Sequence, residues 1–142
     1  HQYLDRLCPG EVPTWFNEGS AVYFENAKVV AGSWTTGQID AEYASRASEI
    51  LRPSGFSILE FLRMPPETFY ADMGRNYAIA WSFVHFLRHS TPDNAKTYER
   101  FFNALADGTP SKTALVDAFP YEKLDALSTA FLKHVESFSK GK

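Results

Sequence analysis

Glu18 is the residue whose surroundings most demand a chemical explanation. It lies in Pro13-Thr14-Trp15-Phe16-Asn17-Glu18-Gly19-Ser20-Ala21-Val22-Tyr23-Phe24-Glu25, with large aromatics on both sides. A carboxylate there is either an exposed first-turn residue that suits the helix dipole or a buried group with a partner. Burial with neither a cation nor hydrogen-bond donors costs on the order of several kcal/mol. The histidines are the other candidates. His85 and His89 sit four apart, so one helix face would carry both imidazoles and could ligate a metal. The plainer reading of His89 is a last-turn residue complementing the negative helix end. His134 reads as a solvated or half-buried residue of the final helix. Cys8 has no neighbouring His or Lys to lower its pKa and reads as an inert thiol. His1 reaches Glu18 through a helix end, a loop and the start of the next helix. Two antiparallel helices could bring both side chains to one point. With one more histidine, such a pair makes a His2Glu zinc site with an open position for water. There is no Gly-rich phosphate loop, no Gly-x-Ser-x-Gly elbow and no Cys-x-x-Cys pair.

The elements that must hold these groups read as helices. Residues 1–7 form a helix end stopped by Cys8-Pro9-Gly10, and Pro13–Ala27 forms the helix of Glu18. Residues 28–39, with two glycines, β-branched residues and Trp34, suggest a loop or short hairpin. Asp40 caps a helix with Tyr43, Ala44, Ala47, Ile50 and Leu51 on its apolar face, ended by Pro53-Ser54-Gly55. Ser57-Ile58-Leu59-Glu60 is a capping box opening a short helix to Arg63, closed by Pro65-Pro66. A loop through Phe69, Tyr70 and Gly74 should follow. The helix from Arg75 to His89 is apolar on most sides and is the expected centre of the core. Thr91 and Pro92 start another helix, which Gly108 stops. A short helix runs from Ser111 to Phe119, and a final one carries the stripe Leu124, Leu127, Phe131, Val135 and Phe138 before a frayed Lys/Gly tail. Six to eight helices with short links and no strong strand pattern imply a single compact all-α domain, without an internal repeat.

Composition agrees with a folded core. The 142 residues are 44% hydrophobic and 15% aromatic, suited to one domain and too apolar for a disordered chain. The net charge of -3 and the absence of any Lys/Arg run argue against a nucleic-acid surface. No apolar stretch approaches the roughly 20 residues of a membrane helix, and no signal peptide is recognisable. A single cysteine allows no internal disulfide. The start at His1-Gln2-Tyr3-Leu4, with no methionine or flexible lead-in, suggests a chain that begins inside a longer protein.

The block Pro13-x-Trp15-Phe16-Asn17-Glu18-Gly19-x-Ala21-x-Tyr23-Phe24-Glu25 resembles the W-L-N-E-G-x-A-x-Y helix of the gluzincin metallopeptidases. It is similar in particular to the bacterial peptidase MA-like (DUF1570) group. In gluzincins a His-Glu-x-x-His helix supplies two zinc ligands and the general-base glutamate, and the Asn-Glu-Gly helix supplies the third ligand. The resemblance implies that His1 is the second histidine and Glu18 the third ligand. Tyr77-Ala78-Ile79-Ala80-Trp81-Ser82-Phe83-Val84-His85-Phe86-Leu87 is similar to the group's Y-x-x-x-W-x-x-V-x-F-L helix. The tyrosine that opens it, here Tyr77, is implied to hydrogen-bond the oxyanion of the tetrahedral intermediate. Asn17 and Glu25 are then supporting groups around the ligand or helix caps rather than catalytic residues. The resemblance is looser over the Ser57–Leu62 helix and the Ala118-Phe119 turn.

The first histidine and the general base of that motif would lie just before His1. The chain thus reads as the C-terminal helical part of a zinc-dependent metallopeptidase that hydrolyses peptides or proteins, incomplete and inactive by itself. The resemblance also allows an extracytoplasmic location. Two readings stand against it. One is a non-catalytic helical module, a degenerate peptidase that binds a protein or peptide. The other is a purely structural helical domain, which predicts an exposed Glu18 and no cleft between its helix and the Tyr77 helix.

Overall fold

The computed structural model describes residues 2–53 and 55–140. Along the chain it contains α1 (Gln2–Leu7), α2 (Thr14–Glu25), a hairpin of β1 (Lys28–Val30) and β2 (Ser33–Thr35), and α3 (Ala41–Leu51). There follow α4 (Ile58–Leu62), α5 (Pro66–Ala71), α6 (Met73–His89), α7 (Pro92–Ala106), α8 (Ser111–Ala118), a 3-10 turn (Tyr121–Lys123) and α9 (Leu124–Lys140). The fold is all-α, and a small two-stranded sheet pairs Val29 with Trp34 across the hairpin. Among the described residues no helix is long and apolar enough to cross a membrane.

Local chemistry starts the helices where the sequence says it should. Asp40 Oδ1 accepts from the Tyr43 amide at 3.0 Å, Ser57 Oγ from the Glu60 amide at 3.2 Å, and Thr91 Oγ1 from the Asn94 amide at 3.1 Å. Each bond satisfies one of the amides that a helix start leaves without an intrahelical acceptor. In the hairpin, Ala31 and Gly32 have φ of 51° and 81°, the left-handed pair that a tight two-residue turn demands.

The helix α6 is the axis of the core. Ala78 through Leu87 are all buried, and α2, α3, α7 and α9 pack around them. Trp15 and Phe16, at the start of α2, are both 0% exposed. The Trp15 ring stacks on Phe101 of α7 at 5.7 Å between centroids, and its Nε1–H donates to the Leu62 carbonyl at 3.1 Å. These contacts fix the rotation and depth of α2. Further along, Gly19 lies against α6 so closely that a Cβ there would stand 2.6 Å from the Ala80 carbonyl oxygen. Only glycine permits that approach, which sets the residue before it, Glu18, facing the start of α6.

One stretch departs from the expected path. Residues around Phe69, Tyr70 and Gly74 are not a loop: α5 runs through Phe69 and Tyr70, and α6 begins two residues earlier than expected, at Met73. The Pro65-Pro66 pair ends α4 and also starts α5, because Pro66 occupies a first-turn position that needs no amide donor. Phe69 is 0% exposed and anchors this short helix. The Asn76 side chain ties it to α6 by donating to the Phe69 carbonyl at 2.9 Å. The described residues therefore hold nine α-helices rather than six to eight.

Candidate functional site

Glu18 is 2% exposed, so it is not a solvated first-turn glutamate. Its carboxylate is gripped from two elements. Tyr77, on the first turns of α6, donates to Oε2 at 2.6 Å. Tyr70, on α5, donates to Oε1 at 2.5 Å, shorter than an ordinary hydrogen bond. Charge-assisted bonds of this kind are roughly twice as strong as neutral ones. They also supply what a buried carboxylate requires, since each phenol replaces a lost water.

The same contacts act on the phenols. The Glu18 hydrogen bond, with burial and the negative charge behind it, pushes the Tyr70 pKa up to about 12. Tyr77 is raised as well, chiefly by burial and then by its bond to Glu18. Both hydroxyls therefore keep their protons at any physiological pH. They can donate hydrogen bonds but are neither bases nor nucleophiles. The two differ in access: Tyr77 is half-buried, whereas Tyr70 is 42% exposed and forms the solvent side of the clamp. The rings of Tyr70 and Tyr77 both meet Phe69 edge-on at 5.5 Å, and that buried ring keeps the pair aligned.

The structure thus brings Glu18 and Tyr77 together. In this state the Tyr77 proton is committed to the carboxylate, and Tyr70 is a third member that sequence reasoning missed. No spacing signal finds it, because Tyr70 and Tyr77 lie on separate helices, α5 and α6, and meet at Glu18 only through the break at Asp72. His1 lies outside the described residues. Among the described residues, no group of three or more His, Cys, Asp or Glu side chains is placed to hold a metal. Asn17 is half-buried beside Glu18, and its buried Oδ1 has no hydrogen-bond partner among the described residues. Glu25 is exposed and lines a separate cleft, about two helical turns from Glu18.

The remaining histidines form a second cluster. His85 Nε2–H donates to the Gly37 carbonyl at 3.0 Å. That leaves its Nδ1 as the acceptor for His134 Nε2–H, at 2.9 Å. His89 pairs through Nε2 with the Tyr23 hydroxyl at 2.6 Å, so its role goes beyond the helix dipole. Burial lowers the pKa of all three, and the neighbouring imidazoles help bring His134 down to about 4. These are neutral histidines that tie α6 and α9 to the segment after the hairpin. Cys8 is 4% exposed, and burial, assisted by Asp5, raises its thiol pKa. That agrees with an inert thiol.

Comparison with protein-family models, curated proteins and solved structures found no match to this chain.

Proposed function

We propose that the chain is the C-terminal helical part of a zinc-dependent metallopeptidase, with Glu18 as a zinc ligand. The observation that carries this reading is a carboxylate only 2% exposed and held at both oxygens by the Tyr70 and Tyr77 hydroxyls. A buried carboxylate needs such donors in any role, and a metal-ligating carboxylate commonly has them, held in place by hydrogen-bonding neighbours. The donor set fits the metal as far as this chain supplies it. A carboxylate oxygen carries two lone pairs, and a phenol engages one at each Glu18 oxygen. His1, and a histidine and a glutamate preceding it, would complete the set.

When bound, zinc would polarise the scissile carbonyl and lower the pKa of water. The chain's own residues position and stabilise. Tyr70 and Tyr77 hold the Glu18 carboxylate in a fixed plane, and the buried Phe69 behind them limits their motion. A phenol has a single proton to donate, so Tyr77 must release Oε2 in order to stabilise a developing oxyanion on a peptide substrate. Tyr70 keeps Oε1 when it does so. A second phenol allows the first to change partner without leaving the carboxylate unsupported.

A second reading, a non-catalytic module that docks a protein or peptide, draws on the hairpin. There Trp34 is 76% exposed, and Val29 and Val30 are 58% and 57% exposed. The codons that precede His1 separate the two. His-Glu-x-x directly before His1, together with peptide cleavage by the longer protein that is lost in Glu18→Gln, supports the peptidase. Other residues at those positions overturn it and leave the docking module.

A further inference from the structure

The cleft between α1, α2 and α7 has features that the Glu18 site does not use. Its volume is about 800 Å³, and neither Glu18 nor the two tyrosines line it. That is the size of a small-molecule site. Leu4, Ala21, Phe24 and Phe102 give it apolar walls. Ser20 and Tyr98 brace one side through a buried hydroxyl pair at 2.9 Å. The cation in the lining is Arg88, from the last turn of α6.

Arg88 is held in an unusual way. Its guanidinium carbon stands 5.3 Å from the Tyr23 ring centroid, 5.4 Å from Phe24 and 5.0 Å from Tyr98. Three rings thus fix the plane of the group by cation–π attraction. No carboxylate of the described residues lies within 4.0 Å of it; the Tyr98 hydroxyl is a hydrogen-bond partner of the guanidinium, while its Nε–H is buried with no acceptor among the described residues. Glu25 and Glu99 also line the cleft, and both are exposed. A half-buried arginine with a donor left unsatisfied carries a desolvation cost that a bound anion would offset. The planar fork of guanidinium matches a carboxylate in two-point contact, and here the surrounding rings have already ordered it.

We propose that this cleft binds a small carboxylate with an apolar body, its acid group on Arg88 and its chain along Ala21, Phe24 and Phe102. The exposed carboxylates of Glu25 and Glu99 in the same lining disfavour any negative charge beyond the one Arg88 can pair, so the ligand is a monocarboxylate.

The test is calorimetric titration of the 142-residue chain with decanoate, decanol and decylamine, all below their aggregation concentrations. These probes share one body and differ in charge. Saturable one-to-one binding of decanoate, about tenfold or more tighter than decanol and tighter still than decylamine, is expected. Arg88→Gln should reduce that preference to within about twofold. Arg88→Lys, which keeps the charge and loses the fork, should fall between the two. Ala21→Leu narrows the cleft from a different helix and should weaken decanoate with the Arg88 cage intact. Circular dichroism of each variant establishes that it is folded. Equal binding of decanol, preference for decylamine, absence of saturation, or an unchanged preference in folded Arg88→Gln would overturn the proposal.

Discussion

Replacing Gly19 with alanine tests how Glu18 is positioned. A Cβ at this place would lie 2.6 Å from the Ala80 oxygen, 2.9 Å from its carbonyl carbon and 3.0 Å from Val84 Cγ2. Two of those atoms are backbone, so no rotamer change can clear them, and α2 must move away from α6 by several tenths of an ångström. Overpacking of this kind costs about 1–3 kcal/mol, while alanine in place of glycine returns up to about 1 kcal/mol of helix propensity. The balance is a loss of about 1–2 kcal/mol, or a Tm lowered by roughly 3–8 °C for a domain of this size. Movement of α2 also loosens the Glu18–Tyr77 bond, so Tyr77→Phe should cost less in the Gly19→Ala background than in the parent. Thermal and urea unfolding of the four proteins in this cycle measures both effects. A Tm raised by Gly19→Ala would refute the reasoning, because propensity alone would then be deciding the outcome and α2 would not touch α6 at this residue.

Three further perturbations separate the elements of the site and the core. Tyr77→Phe removes a donor from a buried carboxylate and should destabilise by about 1–3 kcal/mol in urea unfolding. Tyr70→Phe should cost clearly less, because Tyr70 is 42% exposed and water can take its place at Oε1; equal costs would contradict the assigned difference in access. The histidine cluster gives stability a pH dependence. His85, His89 and His134 titrate below their usual value when folded, His134 at about 4, and near 6.5 when unfolded. Between those values the unfolded chain binds more protons, so the stability present above about pH 6.5 is lost as pH falls toward 4. The urea midpoint should drop between pH 7.5 and 5, with His134 contributing about 1 kcal/mol after allowance for its partial exposure. His134→Gln should flatten that slope, and an identical midpoint at both pH values would contradict neutral burial of the cluster.

Much of the architecture is legible in the residues because it rests on local rules. Asp40, Ser57 and Thr91 cap where their side chains can reach the third amide onward, and α6 is apolar all round because it is central. The α5 helix was hidden because a Pro-Pro pair serves equally well as a stop and as a start, and only the burial of Phe69 decides between them. Tyr70 was lost with it. The same limit explains the histidine cluster. His85 and His134 are 49 residues apart and meet only because α9 packs across α6, which no spacing along the chain expresses. Glu18 and Tyr77 had been linked by resemblance; Gly19 supplies the physical reason that they can meet.

The most direct test of the zinc reading is a titration of Zn²⁺ into the longer protein that includes the residues before His1. The proposal predicts one zinc per chain. It also predicts affinity reduced by about tenfold to a hundredfold in Tyr77→Phe, which removes one of the two phenols that orient the carboxylate, and reduced further in Glu18→Gln. Zinc bound with the same affinity when Glu18 is replaced, or no stoichiometric zinc at all, would contradict it.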